Sequence, residues 1–540
     1  MRPCLIKTSW RATTRCLVAL TLSGLAAALT AAAAKPNVVI ILADDMGFGD
    51  VSSNNPRGRT KTPNIDAMGR SGIRFLEAHS GGSTCIPSRY GLVTGRYQFR
   101  GATATKGPDM AKLGGAGYLP PLIEPGRETI GTLMQRAGYT TACIGKWHLG
   151  MNWERRDPAR PVGLLDPDSR RTNTDFSRGA RDGPSTRGFD YSFIIPSSAS
   201  DPPFIFIRND KVLDPEMALI PEIYPTRQKE PVYEWDLKYV SAPGDVYWAR
   251  GVIWKNGEIS KSYRIERCAD EIVAEATAYI ARQSRKSPSQ PFLLYLPLPG
   301  PHTPWLPNQK FRGTSGIGAY GDYVAQMDDA VGQVQQALAT AGVAEDTLVF
   351  FTSDNGAHWG EEDVQQYGHV CSPGRRGQKG DVWEGGHRVP LFVNWPRKIK
   401  GPATYVHPVS LLDILATLAE ITGLTLDDAQ AEDSCSFHRV IQGDYTTPTR
   451  DSIIHGWGTA IVQDGWKLVT FLGSGGFTSP TRLRPVPGGP RGQLYHLERD
   501  PAETNNLYLQ EPAKVAELSQ LLEKQVAQGF TRSRGKKQAP

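Results

Sequence analysis

Four continuous apolar runs, each stopping at a polar cluster, set the pattern of this chain. Val38-Val-Ile-Ile-Leu42 runs into Ala43-Asp44-Asp45, and Thr141-Ala-Cys-Ile144 into Gly145-Lys146-Trp147-His148. Phe292-Leu-Leu-Tyr-Leu296 leads to the Pro/His loop Leu298–Pro304, and Leu348-Val-Phe-Phe351 to Thr352-Ser353-Asp354-Asn355. Runs without alternation predict strands buried on both faces, as in a mainly parallel sheet. Between them, apolar residues recur at helical spacing over Thr129–Ala137, Cys268–Gln283, Tyr323–Ala341 and Ser410–Thr422. In the last, Ser410 followed by Asp413 resembles a weak capping box. Strands alternating with helices predict the α/β class. In open sheets of that class, ligands bind beyond the carboxyl ends of the strands. All four polar clusters fall there.

Two stretches read as loops or insertions: Asn152–Gly188, rich in Arg, Asp, Pro and Gly, and Gly473–Gly492, rich in Gly, Pro, Ser and Arg. Beyond them, short strand-like runs at Ser452–Ile454, Ala460–Gln463 and Trp466–Phe471 precede a helical pattern over Pro512–Gln528. Residues 433–530 therefore predict a small α+β appendage to a large unit over 35–432. The polar, basic tail 531–540 predicts disorder.

Composition changes the picture at the amino end. Arg2, Lys7, Arg11 and Arg15 precede the small and apolar run Cys16–Ala34. This is the pattern of a secretory signal cleaved near Ala34, with a membrane anchor as the rival reading. The whole chain carries 61 basic against 55 acidic residues; removing the four leaves 57 against 55, near +2. That balance points to neither nucleic acid nor an anionic membrane surface. Of seven cysteines, Cys4 and Cys16 lie in the leader. Cys143, Cys268, Cys371 and Cys435 leave room for one or two disulfides, with three full pairings open. No spacing suggests zinc or redox chemistry. No Asn-x-Ser/Thr sequon occurs, which favours bacterial export, periplasmic or secreted.

The candidate chemistry starts at Cys85-Ile-Pro-Ser-Arg-Tyr-Gly-Leu-Val-Thr-Gly-Arg96. A helix beginning near Pro87 would set Arg89 on the same face as Cys85. Asp44-Asp45 and Asp354-Asn355 offer hard oxygen ligands at strand ends, suited to calcium or magnesium. Lys146, His148, His302 (in Pro301-His-Thr-Pro304) and Lys379 (in Arg376-Gly-Gln-Lys-Gly380, before Glu384-Gly-Gly386) add cations and proton carriers.

These runs together resemble the type I, formylglycine-dependent sulfatases, arylsulfatase-like members of the alkaline phosphatase superfamily. The resemblance covers about Asn37–Gly423, with a looser echo at Leu494–Glu503. It implies an alkaline-phosphatase-like fold: a large domain with a mainly parallel sheet flanked by helices, then a smaller C-terminal α+β domain. It implies that a maturation enzyme oxidises Cys85 to formylglycine (3-oxoalanine), whose hydrate attacks sulfur and then expels sulfate. It assigns Arg89 to holding position 85 and the sulfate, and Lys146, His302 and Lys379 to the sulfate or its leaving oxygen. His148 becomes a candidate base for elimination, and Asp44, Asp45, Asp354 and Asn355 the ligands of calcium, with magnesium possible. Asp354 is also a candidate base for the attack.

The expected substrates are sulfated saccharides or aryl sulfates, with no stable membrane insertion after cleavage. Phosphate or phosphonate ester hydrolysis and non-catalytic polysaccharide binding are the alternatives. Asp201–Lys261, with Trp235, Trp248 and Trp254, is rich in aromatics that can stack on sugars or simply pack a surface; Trp248 and Trp254 are the substrate-contact candidates.

Overall fold

The computed structural model describes residues 1, 35–102, 115–166, 168–224, 246–249, 252–255, 257–287 and 289–533, without the side chains of 246–249 and 252–255. The expected leader beyond Met1 and tail residues 534–540 lie outside the described residues. So do Trp235 and the side chains of Trp248 and Trp254. The backbones of these two tryptophans pair in a hairpin, Trp248 opposite Ile253 and Trp254 opposite Tyr247. From Asn37 onward the chain forms one compact unit.

Ten strands make its central sheet: β1 (Asn37–Ala43), β2 (Ile73–Phe75), β3 (Thr140–Lys146), β4 (Tyr191–Ile195), β5 (Ile207–Arg208), β6 (Lys211–Val212), β7 (Phe292–Pro297), β8 (Thr347–Ser353), β9 (Leu391–Asn394) and β10 (Ala403–Tyr405). Their order is β10-β2-β9-β8-β1-β7-β3-β4-β5-β6. The five strands β8-β1-β7-β3-β4 run parallel, and these include all four apolar runs. Most of the edge pairing is antiparallel.

Helices cover both faces, and the alternation of side chains in the central strands divides the core accordingly. Val39, Ile41, Leu294 and Leu296 pack on one face with α3 (Cys268–Lys286) and α4 (Gly318–Thr340). Val38, Ile40, Leu293 and Tyr295 pack on the other with α1 (Cys85–Thr94), α2 (Ile130–Arg136) and α5 (Asp413–Thr422). Complete burial of such side chains is worth about 1.5–3 kcal/mol each, so the sheet centre is a stiff platform.

Element limits follow local chemistry. Thr129 caps α2 by accepting from Thr132 N–H at 3.0 Å. The helix expected from Tyr323 starts earlier, at Gly318, because Asp322 accepts N–H groups of Gly313 and Ser315 and ties the incoming loop to the first turn. Ser410 does not cap α5. It pairs as strand with His79, and its N–H donates to Asp413 Oδ2 at 2.8 Å.

Beyond the large sheet, four antiparallel strands, β11 (Ser452–His455), β12 (Ala460–Gln463), β13 (Trp466–Val469) and β14 (Gln493–His496), form the C-terminal sheet. The last has no counterpart in the sequence expectation. Helix α6 (Pro512–Gln528) covers this sheet through Leu518 and Leu522. Thr531 and Arg532, expected in the disordered tail, donate backbone N–H to Glu432 O at 3.1 and 3.0 Å. Cys85, Cys143, Cys268, Cys371 and Cys435 are all free thiols, so the described residues contain no disulfide. Cys143 lies in the core on one sheet face, while Cys268 and Cys371 lie in that on the other.

Candidate active site

The polar clusters meet because neighbouring strand ends are stitched together by backbone bonds. Asp44 N–H donates to Gly300 O at 2.9 Å, Asp354 N–H to Ala43 O at 3.0 Å, and Trp147 N–H to Ile195 O at 3.0 Å. Lys379 N–H reaches Ala357 O at 2.9 Å, and Gly380 N–H reaches Ser83 O at 2.7 Å, bringing in the Lys379 loop and the segment before Cys85. Two glycines permit the fit. Gly145 has φ of 130°, and a Cβ there would sit 2.0 Å from Pro297 O. A Cβ on Gly356 would come 1.9 Å from Gly385 O, so the Asp354-Asn-Gly turn and the Glu384-Gly-Gly turn need bare backbone where they touch.

Cys85 is the first residue of α1, preceded by extended Thr84, and its Sγ lies 3.3 Å from Asp44 Oδ1. Burial and the neighbouring Asp354 and Asp44 carboxylates push the thiol up, so an unmodified Cys85 is a poor thiolate nucleophile. Arg89, one turn on, donates from Nη1 to Lys146 O at 2.9 Å, and Nη2 lies 3.6 Å from Asp44 Oδ1. The shared helix face expected for Cys85 and Arg89 is therefore turned toward the strand ends.

Two lysines flank the aspartate pair. Lys146 Nζ donates to Asp44 Oδ2 at 2.5 Å, and Lys379 Nζ donates to Asp45 Oδ2 at 2.7 Å. Burial opposes the Asp44 charge, yet Lys146, His302, Arg89 and Lys379 together hold its carboxyl well below the usual range. Asp45 is likewise lowered against its burial by Lys379 and His302. Burial and the adjacent Asp44 charge push Asp354 up to about 7, with Arg89 and Lys146 pulling the other way.

Asp44, Asp45, Asp354, Arg89 and Lys146 are each at most 1% exposed. With Lys379, three carboxylates thus face three cations in a nearly dry site. A divalent cation added to this balanced set leaves positive charge for an anionic substrate to neutralise.

The donors fit a hard cation. Asn355 donates from Nδ2 to Asp45 Oδ1 at 2.7 Å, and its buried Oδ1 has no hydrogen-bond partner. That orphan oxygen beside three carboxylates is the donor set expected of calcium or magnesium. Asp45 itself adopts φ of 66°, an uncommon conformation for a non-glycine residue, with its N–H 3.2 Å from Asp354 Oδ1.

His148 and His302 complete the ring of groups. His148, also at positive φ (55°), has both ring nitrogens buried without a partner. Burial, with Lys146 and Arg89 nearby, holds its pKa well below the ordinary histidine value. His302 Nε2 lies 3.8 Å from Asp45 Oδ2, and Nδ1 lies 2.5 Å from Thr303 O. Burial and Lys379 lower this imidazole too. All ten residues proposed from sequence for catalysis and metal binding therefore converge, while Trp248 and Trp254 stay outside the described side chains.

Residues 36–424 match the family model for Sulfatase. This chain belongs to the sulfatase family. The sulfatase is 31% identical to an N-acetylgalactosamine-6-O-sulfatase of Bacteroides thetaiotaomicron over 512 residues, 91% of this chain and 93% of that protein. It is 30% identical to human arylsulfatase H, over 80% of this chain and 77% of the relative. A solved structure from work on the metabolism of multiple glycosaminoglycans by B. thetaiotaomicron superposes with a TM-score of 0.73 at 29% identity. It covers 91% of this chain and 99% of that one. The sulfatase is accordingly a sulfuric ester hydrolase with the alkaline-phosphatase-like α/β fold.

The sulfatase also carries supporting groups to which sequence reasoning assigns no role. Asp50 accepts from Gly47 N–H (2.6 Å) and Tyr320 OH (2.5 Å) and lies 2.7 Å from His369 Nε2, bracing the turn after Asp45. Farther out, His387 meets His79 (Nδ1 to Nδ1, 3.1 Å) and stacks on His455 with ring centroids 3.6 Å apart. Lys467 Nζ joins this cluster between Glu384 (3.1 Å) and Glu503 (2.9 Å), linking the C-terminal sheet to the Glu384-Gly-Gly turn. His387 thus has a structural place; His358 contacts the Phe477 ring at 5.4 Å.

Proposed function

We propose that this sulfatase removes sulfate from sulfated carbohydrates, with Cys85 matured to formylglycine and a divalent cation held by Asp44, Asp45, Asp354 and Asn355. The observation that carries the reading is the convergence of Cys85 with these oxygen donors and with Arg89, Lys146, His148, His302 and Lys379 in one buried cluster. The saccharide class is supported by a 31% identical relative named for an N-acetylgalactosamine 6-O-sulfate.

As a formylglycine hydrate, position 85 would supply one hydroxyl to attack sulfur and a second whose deprotonation releases sulfate. Calcium, or magnesium in its place, would supply charge that draws the sulfate oxygens and acidifies the attacking hydroxyl.

The chain's own residues do the rest. Arg89 fixes Asp354 and the carbonyl of Lys146, so the first turn of α1 cannot drift from the strand ends. Lys146 and Lys379, each anchored on one aspartate, hold cationic heads where charge develops on the transferring group. His148, kept neutral by burial and by Lys146 and Arg89, is ready to take the proton from position 85 during release. His302 or Lys379 hands a proton to the departing alcohol oxygen. Met1–Ala34 acts as a removed export signal, and a maturation enzyme modifies Cys85.

The test is kcat/KM of matured protein on sulfated mono- and oligosaccharides, on an aryl sulfate, and on the phosphate ester of one of the same alcohols. The reading expects a saccharide sulfate to be best, because its remote contacts contribute to transition-state binding. A faster phosphate ester, or an aryl sulfate unmatched by every saccharide, contradicts it.

A further inference from the structure

A cavity of about 200 Å³ lies between the segment before Cys85 and the loops of the C-terminal sheet. Its wall includes Thr84, which precedes Cys85, and Gly380, which follows Lys379. The cavity is therefore one residue removed from two groups of the active site. The cation site does not account for it, and of the Cys85–Arg96 run only Pro87 lines it.

Its outer wall is built from exposed rings. Trp457 and Phe477 both line the cavity, yet they remain 55% and 53% exposed. Trp457 sits at φ of 62° between Gly456 (57°) and Gly458 (80°). A bulky residue in this left-handed conformation is uncommon and persists only where the surrounding structure holds it. Here the strained turn holds the indole in solvent instead of in the core. Phe477 rests on Gly380, where an added Cβ would come 3.1 Å from its ring.

Arg482 also lines the cavity. It is exposed and stacks on Phe471 with its guanidinium 3.5 Å from the ring centroid, and among the described residues it makes no ion pair. Rigid aromatic faces match the apolar face of a pyranose ring, and an unpaired guanidinium matches an anionic substituent.

We propose that Trp457, Phe477 and Arg482 form an accessory subsite for an anionic sugar residue, the one adjoining the residue that bears the sulfate ester. This rests on the carbohydrate reading above and extends it from one sugar to two. Contacts there hold the polymer without touching the reacting bond, so they raise kcat/KM only for substrates long enough to reach them.

Three probes test it: 6-O-sulfated N-acetylgalactosamine, an oligosaccharide in which a hexuronate adjoins that residue, and the same oligosaccharide with its carboxyl group reduced. The parent enzyme should prefer the uronate oligosaccharide to the monosaccharide by about tenfold or more. Trp457→Ala and Phe477→Ala should each remove most of that preference, with monosaccharide and aryl sulfate kinetics and the thermal midpoint near parental. Arg482→Gln should equalise the uronate and its reduced form. Equal slowing of monosaccharide and oligosaccharide in the aromatic variants overturns the subsite. So does a parent that cleaves the monosaccharide and gains nothing from the neighbouring sugar. If no saccharide sulfate is cleaved while the aryl sulfate is, the carbohydrate reading itself fails and the subsite with it.

Discussion

Arg89 meets Asp354 at a single oxygen: Nε donates to Oδ2 at 2.9 Å, Nη2 lies 2.9 Å from the same atom as an ion-pair contact, and neither side chain is exposed to solvent. The pair joins the helix that begins at Cys85 to the end of β8, across 265 positions of sequence. Removing one member of such a pair leaves a buried charge without compensation, a loss of about 3–5 kcal/mol. Arg89→Ala should therefore lower the thermal midpoint as well as abolish turnover. Arg89→Lys, which keeps the charge but cannot donate to Asp354 and to the Lys146 carbonyl at once as Nε and Nη1 do, should recover part of the stability and little of the activity. An inactive Arg89→Ala protein with parental unfolding would show that the ion pair adds no stability.

Cation dependence follows from the orphan Oδ1 of Asn355 beside Asp44, Asp45 and Asp354. Chelation should inactivate the enzyme, and calcium or magnesium should restore it. Asp45→Ala should cost more than about 100-fold in kcat/KM, beyond the range typical of residues that only support a ligand. Elemental analysis finding zinc alone on these ligands would refute the assignment.

The proton donor to the leaving alcohol is read out by leaving-group dependence. A nitrophenolate departs without help, whereas a sugar alkoxide needs a proton. The residue that supplies it should, on conversion to alanine, lose about 10²–10⁴-fold on a saccharide sulfate and much less on the aryl ester. His302 and Lys379 are the two to compare. Equal losses on both esters would leave each with a purely electrostatic role.

Acid should weaken the contact between the C-terminal sheet and the large domain. His387 is held well below its ordinary pKa by burial and Lys467, and His455 by burial, His387 and His79. In the unfolded chain both bind protons near 6.5, so the unfolded state holds more protons just below that pH and stability falls as pH drops through it. Glu384, lowered in the fold against its burial by Lys467, adds a loss at lower pH. Glu503, pushed up to about 7 by burial against the pull of Lys467, has the opposite sign between about 4.5 and 7. Comparing variant with parent removes this common background. His455→Phe keeps a ring against His387, and its thermal midpoint should fall less steeply from pH 7 to 5. The missing proton is worth up to about 1.4 kcal/mol per pH unit. Identical slopes would show that His455 does not titrate on unfolding.

The parallel sheet and the ten clustered residues were legible because each sits on a short local signal. An unbroken apolar run such as Val38–Leu42 has few readings other than a strand buried on both faces, and its polar stop marks the ligand end. Of the groups that brace the site, Asp50 lies just past the Asp44-Asp45 cluster, while Tyr320 and His369 carry no such signal. Asp50, Tyr320 and His369 are spread over 319 positions and meet only through the topology. Strand β14 was missed because four residues after a Gly/Pro-rich loop show no usable period. The subsite aromatics Trp457 and Phe477 stand alone among glycines, where a sequence reading sees only turns.

The central claim, that sulfate ester hydrolysis here runs through a modified Cys85, is tested most directly by the mass of one peptide. Protein made with a maturation enzyme and assayed as active is digested with trypsin, and the peptide Phe75–Arg89 is weighed. An aldehyde in place of the thiol, in proportion to activity across preparations, is the result expected. Full activity in protein whose Cys85 is entirely thiol would contradict the account.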